Sequence, residues 1–229
     1  MGMTGKITLG VVVGVVVLGA VSTNSGDDGN GGDSGGDKAT SASADRKPGG
    51  DKDSAQGGEV AEKKAAFAGD GDFQVGSDIK PGTYRTSGNT DHMCYWERAK
   101  DASGELDALL ANDNVSGTSY VTVEAGDKIF RSSGCSDWEA VDPKAKGSPG
   151  AKMAGDGGMF KVGTDIAPGT YRSAGNSDDM CYWERSKDAE HSLDSIIANN
   201  NVSGNAVVTI SSSDAYFKTS GCEDWKKTG

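Results

Sequence analysis

The pattern of apolar and polar positions divides the chain into three stretches. Ile7 to Val21 is an unbroken uncharged run of Val, Leu, Ile, Gly, Thr and Ala. From Thr23 to Ala66 the residues are mostly Gly, Ser, Asp, Ala and Lys, and Val60 is the only large aliphatic one. From Phe67 onward, short apolar runs alternate with polar positions and are punctuated by Gly, Asn and Pro, the pattern of several short β-strands. Alternation along Cys94–Arg98 puts Cys94 and Trp96 on one face, with Tyr95 and Glu97 on the other. The same alternation turns Val121 and Val123, and later Val208 and Ile210, toward a core. Pro81-Gly82 and Pro168-Gly169 mark tight turns, after which Thr83–Thr86 leaves as a strand. Leu106, Leu109 and Leu110, matched by Leu193, Ile196 and Ile197, recur at i, i+3, i+4. That spacing favours one or two helical turns, with a strand as the alternative.

Displaced by 87 residues against itself, the chain aligns Phe73–Trp138 with Phe160–Trp225 without a gap, and 39 of 66 positions are identical. Fixed-period self-similarity defines the architecture before any fold is assigned. The identities form blocks: VGSDIKPGTYR at Val75–Arg85 and VGTDIAPGTYR at Val162–Arg172, then MCYWER at Met93–Arg98 and Met180–Arg185. An AN-x-NVSG segment, read as a hairpin turn, follows at Ala111–Gly117 and Ala198–Gly204. SGC-x-DW closes each copy at Ser133–Trp138 and Ser220–Trp225. The expected fold is mainly β: two tandem small disulfide-stapled modules, sandwich or barrel-like, each with room for one short helix. They occupy 67–138 and 155–229, joined by a linker at 139–154 and preceded by a disordered linker at 23–66.

Composition agrees with folded pieces among unfolded ones. Of 229 residues 35 are Gly, only 34% are hydrophobic and 7% aromatic, too few for one core of that length. The tether at 23–66 cannot bury enough apolar area to offset its ordering entropy. Lys6 before the apolar run, and Ala20 and Ser22 at its end, fit a signal peptide over residues 1–22. Fifteen apolar residues are short of the ~20 that span a bilayer, so cleavage is favoured over an uncleaved anchor, and the only membrane contact expected is through residues 7–21 if they are retained. No cysteine follows the run to carry a lipid. The net charge of −11 repels phosphate backbones and anionic lipid, which argues against nucleic-acid partners.

Each copy holds one of the two cysteine pairs, without metal-type spacing and behind an export signal, which reads as disulfides. Only Cys94–Cys135 and Cys181–Cys222 give both copies the same fold. A metal site would need further ligands; the chain has two histidines, and neither His92 nor His191 recurs in the other copy. No cofactor is expected. The same absence removes a Ser/His or Cys/His nucleophile common to both copies, and acidic residues are too abundant for any one pair to signal catalysis. The chain reads as a non-enzyme. Trp96 and Trp183 share the cysteine face and read as packing on the disulfide. The candidate binding surface is Tyr95, Arg85 and Trp138 in the first copy and Tyr182, Arg172 and Trp225 in the second. The arginines can bind an anionic group or pair within the module, and Trp138 and Trp225 stand at the module ends. Asn114 and Asn201 match the glycosylation sequon, although a turn accounts for them as well.

The motifs DI-x-PGTYR, CYWER and SGC-x-DW resemble those of a module found in secreted actinobacterial proteins of the Streptomyces type, and the resemblance covers both repeats. It implies export and disulfides and transfers no activity. The expectation is an exported binding or interaction protein, secreted or anchored by its N-terminal segment, whose partner is a glycan or protein of the envelope or extracellular space. Two tethered copies would raise avidity for a repetitive ligand. A structural envelope-spacing protein is the alternative, and a small carboxylate-dependent hydrolase a weaker one.

Overall fold

The structure, a computed structural model, describes residues 65–229. The expected signal or anchor segment and all but the last residues of the 23–66 linker lie outside the described residues. Module 1 comprises β1 (Gly71–Gln74), β2 (Gly82–Ala99), β3 (Leu109–Val123), β4 (Ile129–Ser133) and β5 (Glu139–Ala140). Module 2 comprises β6 (Lys152–Met153), β7 (Gly158–Lys161), β8 (Gly169–Ser186), β9 (Ile196–Ile210), β10 (Tyr216–Ser220) and β11 (Trp225–Lys227). The sheet order is β1-β4-β2-β3 in the first module and β7-β10-β8-β9 in the second.

Each module is built on one long hairpin, β2–β3 or β8–β9, that bends over its own core. The register of β2 against β3 shifts between Thr86 and Asn89 and again before Cys94, where Gly88 takes φ 84° and His92 φ 56°. Buried Asn89 pins the bend: its Nδ2 donates to Gly117 O at 3.0 Å and its Oδ1 accepts from Ser136 N at 2.8 Å. Asn176 repeats both bonds in module 2. The bend brings Tyr84 from the first half of β2, and Cys94 and Trp96 from the second, into one core with Val121, Val123 and Phe130. Cys94–Cys135 and Cys181–Cys222 are bonded as expected. Closing a loop of about 40 residues contributes about 4 kcal/mol in the chain-entropy model.

Several expectations are corrected. Trp138 and Trp225 are fully buried and are not surface residues. The chain folds back after each disulfide, so that Trp138 lies 6.0 Å from Phe67 and 5.3 Å from Phe130 between ring centroids. Its Nε1 donates to Ser132 Oγ, as that of Trp225 does to Thr219 Oγ1. The i, i+3, i+4 leucines mark no buried helix face. A single 3-10 turn, Leu106–Ala108 or Leu193–Ser195, leads directly into β3 or β9, and Leu106 and Leu193 are 89% and 88% exposed. The AN-x-NVSG segments are strand throughout; their glycines mark a register shift opposite Asn89 and Asn176, not a hairpin turn. The Pro-Gly pairs stand at strand entries, and the reversal comes earlier, where Gly76 N donates to Ile79 O.

The segment 139–154, read as a linker, is strand at both ends. Glu139–Ala140 pairs with Tyr84–Arg85, and Met153 fills the core of module 2. The two modules form one compact unit.

Candidate functional site

The seam between the modules is asymmetric. On module 1 it uses the outer edge of β3, where Thr118 N donates to Gly157 O at 3.0 Å and Thr122 N to Ala189 O at 2.7 Å. Thr118 and Gly158 pair in parallel across it. Close approach demands glycine here, because a Cβ on Gly158 would lie 2.2 Å from Thr118 O. The loop before the second 3-10 turn then plugs onto module 1. His191 holds φ 57° and sets its ring edge-on to Trp96, 4.7 Å between centroids. Its Nε2 lies 2.7 Å from Tyr120 O. A carbonyl only accepts, so Nε2 carries the proton and Nδ1 does not. Burial, then the Lys218 ammonium, pushes the His191 imidazole below its ordinary 6.5.

Arg98 completes the socket. Its Nε and Nη2 hold both oxygens of buried Asp127 at 2.6 and 3.0 Å, and its Nη1 donates to Glu190 O at 2.9 Å. Tyr120, Met159, Ala189 and Tyr216 form an apolar cluster along the seam. Lys218 pairs with Asp113 at 2.6 Å, and His92 with Asp156 at 3.1 Å.

Beside this contact lies a cleft of about 310 Å³ walled by both modules, with Arg85, Tyr120, Glu139 and Asp142 on one side and Lys161 and Asp165 on the other. The acids are engaged. Asp165 Oδ2 accepts from Tyr120 Oη at 2.7 Å and from Lys161 N at 2.8 Å, and Asp142 Oδ1 accepts from Lys144 N. Burial, then the Asp165 carboxylate, holds the Tyr120 hydroxyl protonated well above its ordinary range. The bases are less satisfied. The Arg85 guanidinium lies 5.8 Å over the Tyr120 ring and 4.0 Å from Glu139, and among the described residues its buried Nε has no hydrogen-bond partner. The Lys161 ammonium has no partner among the described residues. The cleft therefore holds two incompletely used donors, Arg85 Nε and the Lys161 ammonium, set among three carboxylates.

Of the expected site residues, Arg85 is in this cleft. Its counterpart Arg172 is exposed and donates to Asn205 Oδ1, because Val207 stands where Tyr120 does and no module docks there. Tyr95 and Tyr182 face outward, each donating to the glutamate two residues on, Glu97 or Glu184. Burial, then Glu97, pushes the Tyr95 hydroxyl up to about 12. Trp138 and Trp225 belong to the cores. Among the described residues no group of three or more acids, histidines and cysteines is placed to hold a metal. Tyr120, Lys161, Asp165 and His191 are the seam residues missed by sequence reasoning. Three contacts on the seam fall where the copies differ: His191 against Gly104, Tyr120 against Val207, and Met159 against Asp72.

A family model described as the Rv1352-like extracellular domain matches residues 65–139 and again 151–226. The uncharacterised protein Rv1352 of Mycobacterium tuberculosis is 35% identical over 97 residues, covering 37% of this chain and 78% of that protein. The uncharacterised protein Mb1387 of Mycobacterium bovis matches with the same figures. The relatives are thus actinobacterial, as the motifs implied, and the match spans about one module. No solved structure matches. Among the described residues no helix is long and apolar enough to cross a membrane. The chain belongs to the Rv1352-like extracellular domain family and carries two copies of that domain in tandem.

Proposed function

We propose that the chain is an exported, non-catalytic binding protein of the cell envelope or extracellular space. Its ligand, a glycan or protein group rich in acceptor oxygens, enters the cleft between the modules. The observation that supports this reading is the unpartnered buried Nε of Arg85, beside the free Lys161 ammonium. A buried donor without a partner costs about 1–3 kcal/mol, which an incoming oxygen would recover. Three pairs of acids common to both copies hold structural posts, which favours a non-catalytic role. Asp127 and Asp214 grip Arg98 and Arg185, Asp78 and Asp165 accept backbone N–H groups, and Asp137 and Asp224 do likewise. Residues 1–22 serve as the export signal in this reading, or as an anchor if retained.

The test is an array of glycans, peptidoglycan fragments and envelope proteins probed with the full chain and with R85Q. The reading predicts a ligand whose binding R85Q weakens by about tenfold or more. A ligand bound equally by R85Q, or turnover abolished by changing one shared carboxylate, would overturn it. Mass spectrometry of the exported protein decides whether residues 1–22 remain.

A further inference from the structure

A head-to-tail contact between two repeats leaves one unused socket and one unused plug. The unused socket is on module 2, and its framework matches the occupied one. Trp183 stacks on Phe217 at 6.5 Å as Trp96 does on Phe130 at 6.1 Å. Arg185 grips Asp214 at 2.6 and 2.9 Å as Arg98 grips Asp127. The difference is occupancy. Trp96 is fully buried and Trp183 only partly so. Arg98 uses Nη1 across the seam, whereas Nη1 of Arg185 has no partner among the described residues. β3 pairs on both edges and β9 with β8 alone, which leaves Asn205, Val207 and Thr209 exposed, Val207 by 62%. A Cβ on Gly117 would lie 2.3 Å from Gly157 O, and one on Gly204 would meet nothing.

A second copy of this chain does not fit the vacancy. Its free plug, on module 1, has Gly104 in place of the His191 ring and Asp72 in place of buried Met159. Asp72 is 69% exposed and paired with Arg131, so docking would strip a carboxylate of water against Val207 and put no ring on Trp183.

We infer that the Trp183–Arg185–β9 face docks another polypeptide, one presenting a plug of the module-2 kind. Such a plug has a glycine-bearing strand edge that adds beside β9, a loop carbonyl for Arg185, and a histidine ring for Trp183. This partner differs from the cleft ligand and does not depend on it.

The full chain supplies its own probe. Inserting a glycine after Gly71 together with D72M/S103E/G104H writes the module-2 plug onto module 1, because Asp70 already matches Asp156, each accepting from the glycine N–H before its cysteine, Gly134 or Gly221, and Gly104 already holds φ 74°, close to the 57° of His191. Sedimentation should find the wild-type chain monomeric. The variant should associate head to tail, its weight-average mass at least doubling, and adding V207K should return it to the single-chain value. A folded variant that stays monomeric overturns the inference, as does association indifferent to V207K, or V207K-sensitive association of the wild type, which would make a second copy the occupant. Should the variant not fold, a cyclic peptide of residues 187–193 added to the wild-type chain must change Trp183 fluorescence, with the response lost in V207K; no response overturns the inference.

Discussion

Replacing His191 with alanine removes the ring that module 2 sets on Trp96. Three contributions are lost or left unmet. The edge-to-face contact at 4.7 Å contributes about 0.5–1.5 kcal/mol. The bond to Tyr120 O at 2.7 Å contributes about 1 kcal/mol, and more if the carbonyl stays dry. The vacated space adds a cavity cost that collapse of the exposed loop partly relieves. Together these come to about 2–3 kcal/mol, or ~4–12 °C in Tm at ~2–4 °C per kcal/mol for a unit of this size. Glycine should cost about 1 kcal/mol less than alanine, because a non-glycine residue at φ 57° carries ~1 kcal/mol of backbone strain. Urea unfolding followed by far-UV circular dichroism and tryptophan emission checks both. The folded H191A baseline should also shift to the red as water reaches Trp96. A control, G104A, meets nothing within 4 Å and should leave the emission unchanged. H191A within about 0.5 kcal/mol of wild type, the ordinary range for a surface substitution, together with unshifted emission would refute the plug.

Other expectations follow from the same geometry. The neutral imidazole of His191 is the form the seam accepts, since its pKa lies below the ordinary 6.5. Docking is therefore at full strength above 6.5 and weakens as pH falls through that value and below. Lys218, Asp113 and Glu184 face it and are held constant by comparison with H191N, which should flatten the pH dependence of stability between about 7 and 5. R98A should cost about 3–5 kcal/mol, because it strands buried Asp127. R185A should cost less, because Arg185 is 22% exposed where Arg98 is 6% and makes no bond across the seam; equal losses by chemical denaturation would contradict this. Reduction of either disulfide should remove about 4 kcal/mol, read as a fall in the urea midpoint on adding a reductant.

The sequence made each module legible and concealed the pairing of the two. Alternation in CYWER, the cysteine pairing and the core valines came from local periodicity and repeat equivalence, and local physics decides such features. The burial of Trp138 and Trp225 depends on a long-range fold-back, onto Phe67 in module 1 and Met153 in module 2, that no local pattern encodes. The exposure of Leu106 and Leu193 is hidden in the sequence because helical spacing over a few residues does not reveal which side meets protein. Most informative is His191. Identity between the copies gives no sign of it, since its counterpart is Gly104. A seam between two repeats requires that they differ, and its signal lies in the substitutions: His191 for Gly104, Tyr120 for Val207, Met159 for Asp72. Read in that way, a cluster of apolar or ring-bearing replacements confined to one copy of each pair would have pointed to the contact.

Amide hydrogen exchange at two equivalent threonines tests the asymmetric seam most directly. Thr122 N–H donates to Ala189 O across it, while Thr209 N–H, at the same place in module 2, faces the open edge of β9. The account predicts slow exchange at Thr122 and fast exchange at Thr209 in the native protein. Equal rates at the two amides would contradict it.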